Sequence, residues 1–387
     1  MRIAAALVLF TALTLSAAGQ PPKADPKSPP KADAKMDPKA AKADAKMAPK
    51  ADPNAQPAVN WPSQVAGKTL DQWIKEIEDQ DPSHRSMAID MVLQFGPNAK
   101  KAIPTLVRQV KQSPDVAPKA HAMYALEQLV VLDPQTYARD AVDALCGIGG
   151  LDNTQGTLRI RACRALAAIG PPARAAVPKL VRLVEDRLSN EVRQWAAYAL
   201  GRVGYDENNN PDLRALNALA GGIDDVSREV RLECLQSITN LGPPAGGAAN
   251  DFKTRLERRI KTEKDNSAKI WVRVALMRMD GTKINDANLN PIAALMKEKG
   301  DLDIRVQAAR AIGFVGPAAK SKIPELIEAL SDPEALMKWQ ALWSLACMGK
   351  EAQKALPQIE KIADDKDADA QVREAAKKAI EVIKGGK

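Results

Sequence analysis

A chain of 387 residues that is 45% hydrophobic but only 4% aromatic has ample material for a core and little bulk to fill a wide interior. Its net charge of +8 is unevenly spread: residues 20–60 hold eight Lys against five Asp and Arg2 adds one more, leaving about +4 for residue 61 onward. A folded part so mildly basic argues against a dedicated nucleic-acid binder, and two histidines, His84 and His121, exclude a multi-histidine zinc site.

Met1-Arg2, the apolar run IAAALVLFTALTL and the small residues SAAGQ give residues 1–19 the three regions of a secretory signal peptide. The run is too short to span a bilayer comfortably, and no cysteine follows it to carry a lipid. The expectation is an exported chain, periplasmic or secreted, that starts near Ala18–Pro21 and keeps no membrane span. Retention of the leader as an anchor is the alternative. Residues 20–60 form a Pro/Ala/Lys/Asp-rich linker in which KADAKMDPKA (31–40) recurs as KADAKMAPKA (42–51). Such a composition cannot offset its ordering entropy, so disorder is expected. The linker reads as a spacer, or as a basic arm for an anionic envelope polymer.

Ordered structure is expected from Trp61, over a domain running to residue 387. Leu70, Trp73, Ile74 and Ile77 give an amphipathic first helix that caps an array of repeats. The repeating unit is clearest at 301–332, DLDIRVQAARAIGFVGPAAKSKIPELIEALSD. Val306, Ala308, Ala309, Ile312 and Val315 recur three or four apart on one helix. Gly316 offers the left-handed geometry of a helix C-cap and Pro317 blocks continuation. Pro324 stands where the next helix starts, and Leu326, Ile327 and Leu330 form its apolar face. A helix–turn–helix unit of roughly 33–36 residues cannot bury that face alone.

A basic residue inside one helix of each pair counts the copies: Arg85, Lys119, Arg159, Arg193, Arg231, Arg273, Arg305, Lys338 and Arg373. The intervals are 34, 40, 34, 38, 42, 32, 33 and 35 residues. Eleven residues after the marker stands glycine in six copies, at 96, 170, 204, 242, 316 and 349, with Val130 and Ile284 in copies two and six. Nineteen after it stands proline in four, at 104, 178, 324 and 357. Two landmarks in one register mean stacked helix pairs, with no β-sheet expected because every apolar period is helical. GPNAKKAIPTLVRQV, GPPARAAVPKLVRLVED and GPAAKSKIPELIEALSD resemble HEAT repeats, close to the short bilin-lyase-type subgroup, over about residues 68–387. The resemblance implies an all-α, right-handed superhelical α-solenoid of about nine helix pairs. It also implies a binding scaffold whose motifs carry no catalytic residue.

Three, six and seven residues after the marker the columns hold Ala, Ala and a large aliphatic, so these positions pack. Five after it the column runs Asp90, Tyr124, Arg164, Tyr198, Gln236, Arg278, Arg310, Trp343 and Lys378, and is read as exposed. The position two after the marker shares that face and adds Trp195. In HEAT-like arrays the second helices line the concave side. There Tyr124, Arg164, Trp195, Tyr198, Arg278, Arg310 and Trp343 would form one partner-binding strip, because Tyr, Trp and Arg dominate binding hot spots. The plainer reading is aromatics half-covered by neighbouring repeats. The markers themselves read as a ladder pairing with acidic or carbonyl groups between repeats, a polyanion track being the sharper alternative.

The period breaks at Gly147–Thr157, Tyr205–Pro211 and Lys261–Ser267, taken as longer edge loops. Cys146, Cys163, Cys234 and Cys347 are not spaced as metal ligands, and pairing of Cys146 with Cys163 stays open. No phosphate loop, nucleophile elbow or metalloprotease motif is found. The sequence therefore points to no enzyme, no cofactor and no metal site. The expectation is an exported scaffold binding a protein partner through its concave face. Recognition of an acidic polysaccharide by linker and arginines is the alternative, and a HEAT-like lyase or glycosylase is least supported.

Overall fold

The computed structural model describes residues 61–385 apart from 188, 207 and 245–248. The leader and linker calls, residues 1–60, fall outside the described residues. The chain enters through a small antiparallel hairpin, β1 (Gln64–Val65) and β2 (Lys68–Thr69), turned at Ala66 and Gly67, both with positive φ. This corrects the expectation of no sheet, by two residues per strand. The hairpin folds over the first helix: Trp73 Nε1 donates to the Val65 carbonyl at 2.9 Å and the Lys68 ammonium sits 4.5 Å above the ring.

Nine helix pairs follow. They are α1 (Leu70–Glu76) with α2 (Pro82–Leu93), α3 (Ile103–Gln112) with α4 (Val116–Leu129), and α5 (Pro134–Cys146) with α6 (Gly156–Ile169). Next come α7 (Val177–Val184) with α8 (Asn190–Val203), α9 (Leu213–Gly222) with α10 (Arg228–Leu241), and α11 (Ala249–Thr262) with α12 (Asn266–Met279). The last are α13 (Asp286–Leu295) with α14 (Leu302–Val315), α15 (Ile323–Ala329) with α16 (Ala335–Met348), and α17 (Leu356–Asp364) with α18 (Ala370–Lys384). The described array is an all-α solenoid.

Local chemistry sets the ends. Side chains of Asp81, Ser189, Ser227, Asp265, Asp301 and Asp369 accept backbone N–H bonds at the starts of even-numbered helices, satisfying donors that would otherwise be orphaned. At their ends Gly170 and Gly316 adopt φ 72° with ψ −144° and −147°. That is an extended, glycine-only conformation rather than the left-handed helical cap expected. It sends the chain straight into 3₁₀ turns, Pro171–Ala176 and Gly316–Lys322, before α7 and α15. Gly204 departs, with φ −75°. Beyond it the Tyr205–Pro211 loop closes on itself through a bridge between those two residues and an Asp206 carboxylate taking the N–H groups of Asn208 and Asn210, each at 2.8 Å.

The even-numbered helices stack on one another along the whole array, and two seams show how closely. Ser237 Oγ donates to the Ala197 carbonyl at 2.9 Å, beside Gly201, where a Cβ would meet that hydroxyl at 2.4 Å. Ser344 Oγ repeats the bond to Ala309 at 2.8 Å, beside Gly313. The odd-numbered helices are packed less closely, with α3 against α5 and α7 against α9 the clearest direct contacts of that row. In a curved stack the closer row lies on the inside, so the even helices form the inner row.

Copy six corrects the register. In every other copy the marker lies four residues after the residue that opens its helix, as Arg305 follows Asp301. The cap of α12 is Asp265, so the equivalent residue is Lys269, and Arg273 lies one helical turn too far along. Eleven residues on, Asp280 takes the glycine's place. The expected loop at Lys261–Ser267 shrinks to a short turn, and the extra residues of this copy lengthen α11, which runs 14 residues against 7 in α15.

The marker arginines form an inter-repeat ladder. Arg85 pairs with Asp115, Arg159 with Asp186 (2.5 Å), Arg193 with both oxygens of Asp225 (2.8 and 3.0 Å), Arg231 with Glu263 (3.2 Å) and Arg305 with Asp332 (3.6 Å). Arg193 also holds the Asp186 carbonyl and Arg231 the Asp225 carbonyl, so each clamps its own turn to the next repeat. The acidic partner offsets a cation set early in a helix. Lys119, Lys269 and Lys338, with no fork to offer, make no such bridge among the described residues. All four cysteines are free thiols, Cys146 raised to about 11 by burial.

Candidate functional site

With the ladder occupied at the edge, the remaining chemistry of the even helices faces inward. Tyr124 on α4 is exposed (38%), with the Arg161 guanidinium 5.9 Å from its ring. Arg164 on α6 lies between the Glu127 carboxylate (3.4 Å) and the Trp195 ring (5.3 Å). Trp195 meets Tyr198 edge-on at 5.4 Å, and Arg202 stacks on Tyr198 at 4.4 Å. Copies two to four thus carry an alternating run of arginine and aromatic rings. A second run follows in copies six to eight, where Arg310 lies over Trp271 (5.6 Å) and Phe314 (5.5 Å) and Phe314 touches Trp343 (5.4 Å). Glu233 on α10 stands between the runs, within electrostatic reach of Arg202, Arg310 and Tyr198.

Two expectations change. The column five after the marker is half-buried rather than exposed, apart from Tyr124, and Trp343 is only 5% exposed. Trp343 fills the space left by Gly313, its ring 2.5 Å from where a Cβ would stand, so it packs between repeats and offers no open face. Arg278, once copy six is shifted, belongs nine after the marker, the column of Arg202. It donates Nε to the Thr239 carbonyl at 3.3 Å, across to α10. The slip of four residues is almost one helical turn, which is why Arg278 still faces inward.

Electrostatics at the strip follow burial. Burial pushes the Glu127 carboxyl up, against the pull of Arg164, and its Oε2 is buried with no hydrogen-bond partner. Burial also raises Tyr198 and Glu233 and lowers Arg310; Arg310 and Arg202 oppose the shift of Glu233, while the charges around Tyr198 and Arg310 pull both ways. The sequence reading missed Trp271, Phe314 and Glu127. Trp271 emerges once copy six is read from its cap, two after Lys269, and Phe314 stands nine after Arg305, in the column of Arg202. Glu127 was visible as a carboxylate in a column that holds Ala167, Gly201, Gly313 and Ala346 elsewhere. His121 Nδ1 contacts Asp90 at 2.9 Å on the same row, nearer the N-terminal end.

Among the described residues no three or more His, Cys, Asp or Glu are grouped to hold a metal ion, and no helix is long and apolar enough to cross a membrane. Residues 150–239 and 289–381 match the family model for HEAT repeats. No curated protein matches the sequence. Among solved structures, an engineered protein determined by a structural genomics consortium aligns at TM-score 0.43 and 18% identity, covering 82% of this chain and 89% of its own. A likeness that slight carries no argument about function. HEAT repeats build scaffolds for protein interaction, and the helix pairs, their period and the matched segments agree. The chain is a solenoid of helix pairs that carries HEAT repeats at residues 150–239 and 289–381.

Proposed function

We propose that this is an exported HEAT scaffold that holds a protein partner along the inner row of its second helices. The observation that supports it is the division of labour among the arginines. Those at the repeat edge are spent on carboxylates and carbonyls, whereas Arg164, Arg202 and Arg310 of the inner row lie against aromatic rings with donors to spare. Aromatic area beside arginine is the composition of binding hot spots. Export rests on the leader at residues 1–19, and the linker would hold the array clear of whatever the leader delivers it to. The anionic-polymer reading has lost its regular track of charges to the ladder, and nothing at the inner row favours it.

A photo-crosslinking residue at Tyr124, compared with one at the exposed outer position Arg182, tests the proposal in an envelope extract. Capture of one discrete protein from position 124 and not from 182 is the expected result. Equal capture from both, or capture that collapses with modest salt and returns polysaccharide, would remove the inner-row reading.

A further inference from the structure

On the inner row, two cations are left without an anion. Arg202 stacks on Tyr198, and its Nε is buried with no acceptor. Arg310 is held over Trp271 and Phe314, and neither arginine makes a hydrogen bond or ion pair among the described residues. The Tyr198 hydroxyl makes none either. Half-burying a guanidinium costs solvation that a carboxylate would normally return. Stacking also fixes its plane and leaves the N–H edge as the part it can offer. Glu233 lies within reach of both cations but pairs with neither, its Oε1 accepting from Ser237 Oγ at 3.4 Å. Two cations thus face one carboxylate that pairs with neither, and this part of the groove is short of acceptors.

We propose that Arg202, Arg310 and the Tyr198 hydroxyl form a carboxylate-accepting site whose occupant is an Asp or Glu side chain in an acidic, aromatic-bearing segment of the protein partner. This rests on the inner-row reading above and names the chemistry that reading leaves open. A single carboxylate balances the site and matches the in-line donors of a guanidinium. A phosphate dianion would be repelled by Glu233. A polymer charged at every unit would need cations along its whole length, and the ladder has consumed those. Trp195, beside Tyr198, offers the apolar area that a flanking aromatic side chain would use.

The test uses the full chain and two fluorescein-labelled hexapeptides, EFELEF and its uncharged counterpart QFQLQF, in anisotropy titrations. EFELEF is expected to bind on the order of tenfold tighter. Arg202→Gln and Arg310→Lys should each erase most of that preference while leaving QFQLQF unchanged, and Tyr198→Phe should reduce it a few-fold. Arg310→Lys keeps the charge and removes only the fork, so it and Tyr198→Phe carry the test if Arg202→Gln fails to fold. Equal affinity for the two peptides overturns the site. So does a preference that survives both arginine substitutions, or displacement of EFELEF by polygalacturonate or inorganic phosphate at matched charge. Weakening of both peptides by Trp195→Ala, with the arginine substitutions silent, rejects the carboxylate site and keeps the inner-row reading. Insensitivity to Trp195→Ala and to Arg202→Gln alike rejects both.

Discussion

Arg193 and Arg202 stand nine residues apart on one helix, α8, and could hardly be used more differently. Arg193, at the edge, forks onto Asp225 and binds a backbone carbonyl besides, with both ion-pair side chains 12% exposed. Arg202, on the inner row, has a ring beneath it and no acceptor. The lesson is that charge on a solenoid helix is read by where it points along the stack. Edge cations fasten one repeat to the next. Arg202 and Arg310, on the inner row, are held against rings and make no ion pair among the described residues.

The sharpest boundary to test is where the inner row stops being a surface. Trp343→Ala should destabilise the C-terminal repeats by about 4 kcal/mol, the usual loss for truncating a buried Trp. Hydrogen exchange in α14 and α16 would resolve it, since a repeat array unfolds in parts. A loss below about 1 kcal/mol would return Trp343 to the exposed strip. At the edge, Arg193→Ala should cost about 3 kcal/mol by stranding the Asp225 carboxylate, with Arg193→Met/Asp225→Leu recovering most of it. An Arg193→Ala protein as stable as the parent would dissolve the distinction between edge and inner row.

The third prediction is the ladder's pH signature. Glu263 is buried, which works against ionisation, yet the Asp265 N–H and the guanidinium groups of Arg259 and Arg231 hold its carboxyl at about 2. A folded value below the unfolded one means stability that is whole above about pH 4.5 and disappears as pH falls toward 2. The amount is on the order of 3 kcal/mol. Glu263→Gln should flatten that part of the acid-denaturation curve, and an unchanged curve would remove Glu263 from the ladder. The smallest expected effect lies inside. Arg202→Met should leave stability within about 1 kcal/mol of the parent, or raise it, because a half-buried cation without a partner contributes little to folding.

Much of this was legible beforehand, for a physical reason. Gly170, Gly316, Pro178 and Pro324 are demanded by backbone geometry, so they recur wherever the turn recurs, and they counted the pairs correctly. Side-chain chemistry gave weaker guidance. Arg273 mimicked a marker because one helical turn changes position while nearly preserving direction. Its neighbour Lys269, chemically the less eloquent residue, held the true place after Asp265. The burial of Trp343 was hidden because it depends on Gly313 of the preceding repeat, thirty residues earlier. Arg164 and Trp195 stood out as unlike their aliphatic neighbours, but composition alone does not separate a covered ring from an open one.

The outer row is joined more loosely than the inner one, and one of its seams carries ion pairs. On the α9 side α11 faces a cleft of about 210 Å³ between Leu213, Asn217, Phe252 and Arg255. Two ion pairs span this side: Arg259 to Asp224 at 3.1 Å and Arg255 to the same carboxylate at 4.0 Å. Apolar contact resists opening whatever the salt, whereas half-exposed ion pairs are screened by it. The tie between copies five and six on this side is accordingly one that ionic strength weakens.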